Sequence, residues 1–218
     1  RVKVVYTPNG FFPRSLHWSL RWFYVFLELT LLSLTDLVFF VSPSEQETFA
    51  ASVGADVDNP KFIYIQNYIN ADLTQLKPAI AYSHPSTIQP KFLFIGRLSM
   101  QKGVDILVES LRKLEDNFQV SIVGYGEMED YLRMEIAKGL QDRVFFIGKQ
   151  NEAFRLMPNF DALLLPSRFE GLPFTVLEAL LYRLPLIVTP CNGTKDLVDI
   201  DNGYVSKGID AQSFSDAV

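Results

Sequence analysis

Between Ala162 and Thr189 the chain runs through a short apolar stretch, a polar loop, a helix-forming stretch and a second apolar stretch. Ala162-Leu-Leu-Leu165 is bounded by turn residues and reads as a buried strand. Phe174 to Tyr182 is good helix material, and Leu186-Ile-Val-Thr189, after Pro185, reads as the next strand. The same alternation recurs from residue 90 onwards, which implies an α/β fold with a parallel sheet covered on both faces. The loop from Pro166 to Pro173 thus lies between the C-terminal end of a strand and the N-terminus of a helix. In open α/β sheets this is where ligands bind, because free backbone N–H groups and the helix dipole favour an anion there.

Two carboxylates frame this loop, Glu170 before the helix and Glu178 inside it. Eight helical steps would place them roughly 80° apart, broadly on one side. Taken singly, such glutamates are most often solvated. The surrounding pattern is more specific: Glu-Gly-Leu-Pro-Phe-Thr-Val-Leu-Glu-Ala resembles the two-glutamate signature of retaining glycosyltransferases of family 4. That resemblance implies that Glu178 binds the ribose hydroxyls of a nucleotide and Glu170 the donor sugar. It places Gly171, Leu172, Pro173, Phe174 and Thr175 along the donor, with the backbone N–H groups near Phe174 and Thr175 on its phosphates.

Apolar residues make up 48 % of the 218 and charged residues 21 %, ample for a buried core. A net charge of −5 argues against a nucleic-acid partner. The single cysteine, Cys191, allows no internal disulfide, is compatible with a reducing cytosol, and with no histidine nearby reads as a packing thiol. Only His17 and His84 are present, without a histidine–carboxylate cluster at ligand spacing, so no protein metal site is expected.

Val2 to Tyr6 reads as a strand and Thr7-Pro-Asn-Gly10 as the turn after it. Members of the resembling family often carry Thr-Pro-His-Gly here, with the histidine directed at the reacting sugar. Asn9 stands in its place; an amide can donate a hydrogen bond but is neither acid nor base near neutral pH. Ser15 to Leu37 is long, apolar and aromatic. Arg21, Glu28 and Asp36 interrupt it, and a central charge costs about 2.5–3.5 kcal/mol on membrane insertion. It therefore reads as a helix packed on a sheet, followed by the strand Leu37 to Val41, with an aromatic face against a bilayer surface as the second reading. Ser42-Pro-Ser-Glu45 has the form of a helix start, and that helix runs to about Val53. Lys61 to Ile65 is a further short strand. Pro78, Pro85 and Pro90 mark a linker over 68–90, which separates 1–67, the latter part of one domain, from 91–218, most of another. Both ends look cut, so the first domain is expected to be truncated at its N-terminus and the second at its C-terminus, where the sequence stops within helix-forming residues.

The second domain opens with the strand Phe92-Leu-Phe-Ile95, the loop Gly96-Arg-Leu-Ser-Met-Gln-Lys-Gly103 and an amphipathic helix, Val104 to Leu114. Arg97 and Lys102 flank that loop, a guanidinium fork and a point charge suited to a diphosphate. Gly-Arg-Leu-Ser-x-x-Lys-Gly closely matches the family's donor-phosphate motif, which brings Gly96 with it. Val120 to Val123, followed by Gly124-Tyr-Gly126, is a second strand and turn; it lacks the third glycine of a dinucleotide fingerprint, and only the resemblance puts Gly124 beside a donor. Val144 to Gly148 is a third strand, after which Lys149 would lie along the nucleotide base.

The resemblance covers nearly the whole chain and is strongest over 92–205. It implies two Rossmann-like domains with the active site between them (the GT-B fold), transfer with retention and no required metal or cofactor. The donor would be a nucleotide sugar, taken as UDP-linked, and the acceptor a glycan or lipid-linked glycan bound mainly on the first domain. Capsule, O-antigen or exopolysaccharide assembly in the cytoplasm, at the inner face of the plasma membrane, is the implied setting. Two other readings stand beside it: a nucleotide-sugar-binding relative without turnover, supported by Asn9, and a sugar-nucleotide epimerase of the same architecture.

Overall fold

The computed structural model describes residues 2–10, 18–69, 89–115 and 117–218, so the expected linker lies largely outside the described residues. The chain divides into two compact units.

The first unit comprises Arg1–Asn67 with two short segments from later in the chain, Phe169–Pro173 and Asn192–Leu197. Strands β1 (Val5–Tyr6), β2 (Leu37–Phe40) and β3 (Phe62–Tyr64) pair in parallel in that order, with helices α1 (Trp18–Leu34) and α2 (Pro43–Val53) between them. The expected strand from Val2 shrinks to two residues because only Val5 and Tyr6 have register partners on β2. Rings of Phe40, Phe49 and Phe62 meet at centroid distances of 5.2, 5.2 and 5.7 Å and form the centre of the core. Ser42 caps α2 as expected: it is extended, and its hydroxyl accepts the N–H of Glu45 at 3.2 Å.

Helix α1 turns its one acid inward. Glu28 is buried, and the hydroxyl of Tyr6 donates to its two oxygens at 2.9 and 2.8 Å. Tyr24 and Leu32, on the same side of the helix, pack against the core. The ammonium of Lys61 closes the C-terminal end by donating to the carbonyls of Leu32 and Thr35. Trp22, Phe23 and Phe26 are left exposed. No described helix is long and apolar enough to cross a membrane.

The second unit, Tyr68–Arg168, Phe174–Cys191 and Val198–Val218, contains a six-stranded parallel sheet. Its strands are β4 (Lys91–Ile95), β5 (Gln119–Val123), β6 (Val144–Gly148), β7 (Ala162–Leu165), β8 (Leu186–Val188) and β9 (Gly203–Val205). Their order is β6-β5-β4-β7-β8-β9: the chain winds outward from β4 to one edge, returns to β7 beside β4, and winds to the other edge. Ligands of such sheets bind where the winding reverses, outside the carboxyl ends of the strands. Strands β5 and β7 are buried at every position, which explains their continuous apolar character.

Helices α3 (Val104–Leu111), α4 (Glu129–Ile136), α5 (Phe174–Leu181) and α6 (Ala211–Ser215) and a 3-10 helix (Ala153–Asn159) connect or follow the strands. Helix α3 ends three residues earlier than its apolar spacing predicts. Leu114 still packs on the core, but from a bend rather than from the helix, so the periodicity outlasts the helical backbone. Helix α6 likewise ends at Ser215 rather than continuing to the last residue.

Candidate functional site

At the reversal point of the second sheet, the loops after β4 and β7 are stitched together. The Arg168 N–H donates to the carbonyl of Gln101 at 2.8 Å, and its guanidinium donates to the carbonyl of Met100 at 2.7 Å. The same guanidinium forks Asp105, in the first turn of α3, at 2.7 and 2.6 Å. Partial burial alone would raise the Asp105 carboxyl, but hydrogen bonds and charge from Arg168 outweigh it and hold the group below its ordinary range. Arg168 carries no local sequence signal, because its partners lie more than sixty positions away along the chain.

Beside these loops a cleft of about 670 Å³ opens over the ends of β4, β5 and β6. Ile95, Val123 and Ala153 supply apolar surface, and four residues singled out by sequence line it together: Gly96, Arg97, Gly124 and Lys149. Gly124 has φ +147°, and a Cβ there would collide with the carbonyl oxygen of Gly96. The glycine therefore permits a close approach of two strand-end loops. Arg97 is largely exposed and its Nε lies 3.1 Å from a carboxylate oxygen of Glu127, a cleft residue that the sequence reading did not single out. The Lys149 ammonium sits 5.0 Å from the centre of the Tyr125 ring. Lys102 does not line the cleft; its stem lies on Gly96, where a Cβ would be 3.6 Å from Lys102 Cδ.

Phe174 and Thr175 form the first turn of α5, Phe174 exposed and Thr175 half-buried. One turn further on, Glu178 is half-buried with no hydrogen bond or ion pair to its carboxylate among the described residues. Burial raises its pKa from 4.5 to about 7. A desolvated carboxylate beside the first turn of a helix is a ready acceptor for ligand hydroxyl groups.

The remaining sequence candidates meet in the first unit. Asn9 (φ 48°) and Gly10 (φ 94°) form a left-handed turn, and the segment carrying Glu170 and Gly171 lies directly on it. A Cβ on Gly171 would stand 2.9 Å from Val41 Cγ2, 3.2 Å from Asn9 Oδ1 and 3.3 Å from Gly10 N, so only glycine fits without movement. Glu170 is buried. Leu172 is buried too, and its carbonyl accepts from the Asn67 amide at 2.9 Å, while Pro173 lies buried next to it. The 192–197 segment is held from the start of α2: Gly193 N–H donates to Ser44 Oγ at 3.0 Å, and Ser44 N–H to Asp196 at 3.1 Å. Cys191 is buried, as a packing thiol would be.

The cleft residues of the second unit fall within the part of the chain, residues 89–218, that matches the model of the family described as glycosyl transferases group 1. The chain belongs to that family. Over 90 % of its length it is 26 % identical to the O-antigen biosynthesis glycosyltransferase WbnH of Escherichia coli, covering 54 % of that protein. Over 99 % it is 27 % identical to the UDP-Gal:alpha-D-GlcNAc-diphosphoundecaprenol alpha-1,3-galactosyltransferase of Escherichia coli, covering 59 % of it. The chain thus spans a little over half the length of these two curated relatives. Among solved structures, HepE of Anabaena in complex with UDP superposes with a TM-score of 0.76 at 21 % identity, over 98 % of this chain and 61 % of that one. This group 1 glycosyltransferase chain has the α/β GT-B fold of those neighbours, with the six-stranded sheet carrying the cleft.

Proposed function

We propose that the protein transfers a sugar from a UDP-linked donor to a glycan or lipid-linked acceptor with retention of configuration, in the assembly of a bacterial surface polysaccharide. The observation that carries this reading is the grouping of Gly96, Arg97, Gly124 and Lys149 in one cleft at the strand ends of the second unit. Arg97 in the cleft, and Lys102 beside Gly96 just outside its lining, supply positive charge to the diphosphate as the bond from the anomeric carbon to the phosphate oxygen breaks. Each charge-assisted hydrogen bond contributes about 1.5–3 kcal/mol, so several together stabilise the departing nucleoside diphosphate. Glu178 accepts the ribose hydroxyls, and Lys149 with Tyr125 flanks the base. Glu170 holds the donor sugar, and Asn9 contributes an amide where family members carry histidine. The acceptor hydroxyl bonds to the anomeric carbon and gives its proton to the departing phosphate oxygen, so that sugar, proton and nucleoside diphosphate are all accounted for. A UDP-linked donor is supported by the names of the Escherichia coli galactosyltransferase relative and the UDP-bound HepE structure.

Asn9 favours one other reading, a relative that binds nucleotide sugar without turnover, because the amide cannot take or give a proton near neutral pH. Calorimetry of the chain against UDP, GDP and ADP, beside Arg97→Ala and Glu178→Ala, tests the donor site. Saturable UDP binding that weakens at least tenfold in both folded variants is the expected result, whereas equal affinity in all three proteins would exclude Arg97 and Glu178 from the donor site. Release of UDP from UDP-galactose by the whole protein, dependent on added GlcNAc-diphosphoundecaprenol as acceptor, then separates transfer from binding alone.

A further inference from the structure

Glu45 is completely buried although it carries a carboxylate. As the third residue of α2 it would ordinarily reach back to the N–H of its own cap residue, Ser42. Its oxygens also serve segments outside the helix. One accepts the N–H of Val41, just past β2, at 3.3 Å. The other accepts the N–H of Gly10 at 2.5 Å, from a point 35 residues earlier in the chain. A buried carboxylate is costly unless hydrogen-bonded, and here two backbone donors and the N-terminal dipole of α2 offset that cost.

What this carboxylate holds is the Asn9–Gly10 turn. Both residues have positive φ, so no helix or strand ladder keeps the turn in place. Its other side rests on the Glu170–Gly171 backbone, with Gly10 N and Asn9 Oδ1 too close to Gly171 for any side chain there. The turn is therefore gripped between a buried carboxylate and the segment that carries Glu170.

We propose that Glu45 is a positioning residue that sets the Asn9 amide against Glu170. The inference rests on the transferase reading above. A cap that merely held α2 together would leave Gly10 alone, and Ser42 already fills that role.

Turnover is measured in the whole protein as release of UDP from UDP-galactose or UDP-glucose in the presence of GlcNAc-diphosphoundecaprenol as acceptor, with UDP affinity by calorimetry and the unfolding midpoint by fluorescence. Glu45→Gln keeps one acceptor oxygen but turns an amide NH2 towards a backbone N–H. It is expected to lower kcat at least tenfold while leaving the donor KM and UDP affinity within twofold. Ser42→Ala, which removes the cap of the same helix without touching Gly10, is expected to keep kcat within twofold even where its midpoint falls as far. A Glu45→Gln protein with wild-type kcat, or equal losses of kcat in the two variants, would overturn the assignment of Glu45 alone. If Glu45→Gln fails to fold, Glu45→Asp, which withdraws both oxygens by one methylene, decides on the same readouts. A wild-type protein that releases UDP from neither donor would overturn the transferase reading itself.

Discussion

Arg168 and Asp105 form a two-pronged ion pair, with guanidinium nitrogens 2.7 and 2.6 Å from the two carboxylate oxygens. Both side chains are less than a third exposed. The pair spans the reversal point of the six-stranded sheet, joining the loop after β7 to the first turn of α3. Arg168 is also the last residue of the second unit before the chain enters the Phe169–Pro173 segment.

Replacing Arg168 by alanine strands the Asp105 carboxylate in a half-buried position and removes the hydrogen bond to Met100. A loss of about 1.5–3 kcal/mol in unfolding free energy is expected, with Arg168→Lys recovering only part because an ammonium cannot fork a carboxylate. The pH dependence has a definite sign. Asp105 is depressed below its ordinary value of 3.8, so its stabilisation is present above that value and disappears as pH falls towards the lower folded value. Urea titrations of Arg168→Ala should lack this acid-limb component, and an unchanged acid limb would show that the pair does not stabilise the fold.

Glu178 behaves in the opposite sense. Its pKa is raised from 4.5 to about 7 by burial, so the fold favours the protonated form. Its destabilising contribution is absent at low pH and grows as pH rises from 4.5 to 7. Glu178→Gln should accordingly be about 1–2 kcal/mol more stable than wild type at pH 8, after allowance for solvent screening, and no different at pH 4. A nucleotide whose ribose hydroxyls donate to this group favours the ionised form. UDP binding near pH 6.5 should then release a proton, seen as a dependence of the calorimetric heat on buffer ionisation enthalpy and absent in Glu178→Gln.

At Gly124 a methyl group has no room, because the Gly96 carbonyl already occupies the space and φ is +147°. Gly124→Ala must push the loops after β4 and β5 apart. An unfolding penalty of about 2–4 kcal/mol is expected, together with a loss of UDP affinity of more than about tenfold from a widened cleft. Paired urea and calorimetric titrations would detect both, and a variant that loses stability but binds UDP normally would detach Gly124 from the site.

The parts of the molecule most legible in sequence are those built from local pattern. The apolar run of β7, the Gly96–Gly103 loop and the Ser42 cap each depend on neighbours within a few residues, and each is present in the fold. The Gly96, Arg97, Gly124 and Lys149 grouping also followed, because a doubly wound sheet brings successive strand ends to one edge. What pattern does not reveal is long-range pairing of polar groups. Glu28 looked like a charge interrupting an apolar stretch, yet it faces inward because Tyr6, on another element, donates to it. Glu45 looked like a capping residue, and its bond to Gly10 depends on how β1, β2 and α2 come together. Arg168 has no local cue at all. In each case the partner is chosen by tertiary packing, and single-sequence periodicity carries no information about it.

The buried Glu28 also yields a direct test of what orients α1. Its carboxylate is hydrogen-bonded by the Tyr6 hydroxyl and by that of Tyr24. Tyr6→Phe removes a donor from a buried charge, and a loss of about 1.5–3 kcal/mol is expected. The double variant with Tyr24→Phe should lose more than the sum of the two single changes, because each single variant leaves the carboxylate one phenol and the double leaves it neither. Both phenols are shifted well above 10, chiefly by burial, with the Glu28 carboxylate adding to it. Their stabilisation is therefore intact below pH 10 and lost as pH climbs beyond it, which predicts an alkaline unfolding limb. Circular dichroism at pH 9 and pH 11 should show that limb in the wild type and a weaker one in Tyr6→Phe. An additive double variant with an unchanged alkaline limb would mean that apolar packing of Tyr24 and Leu32, rather than the Glu28 hydrogen bonds, orients the helix.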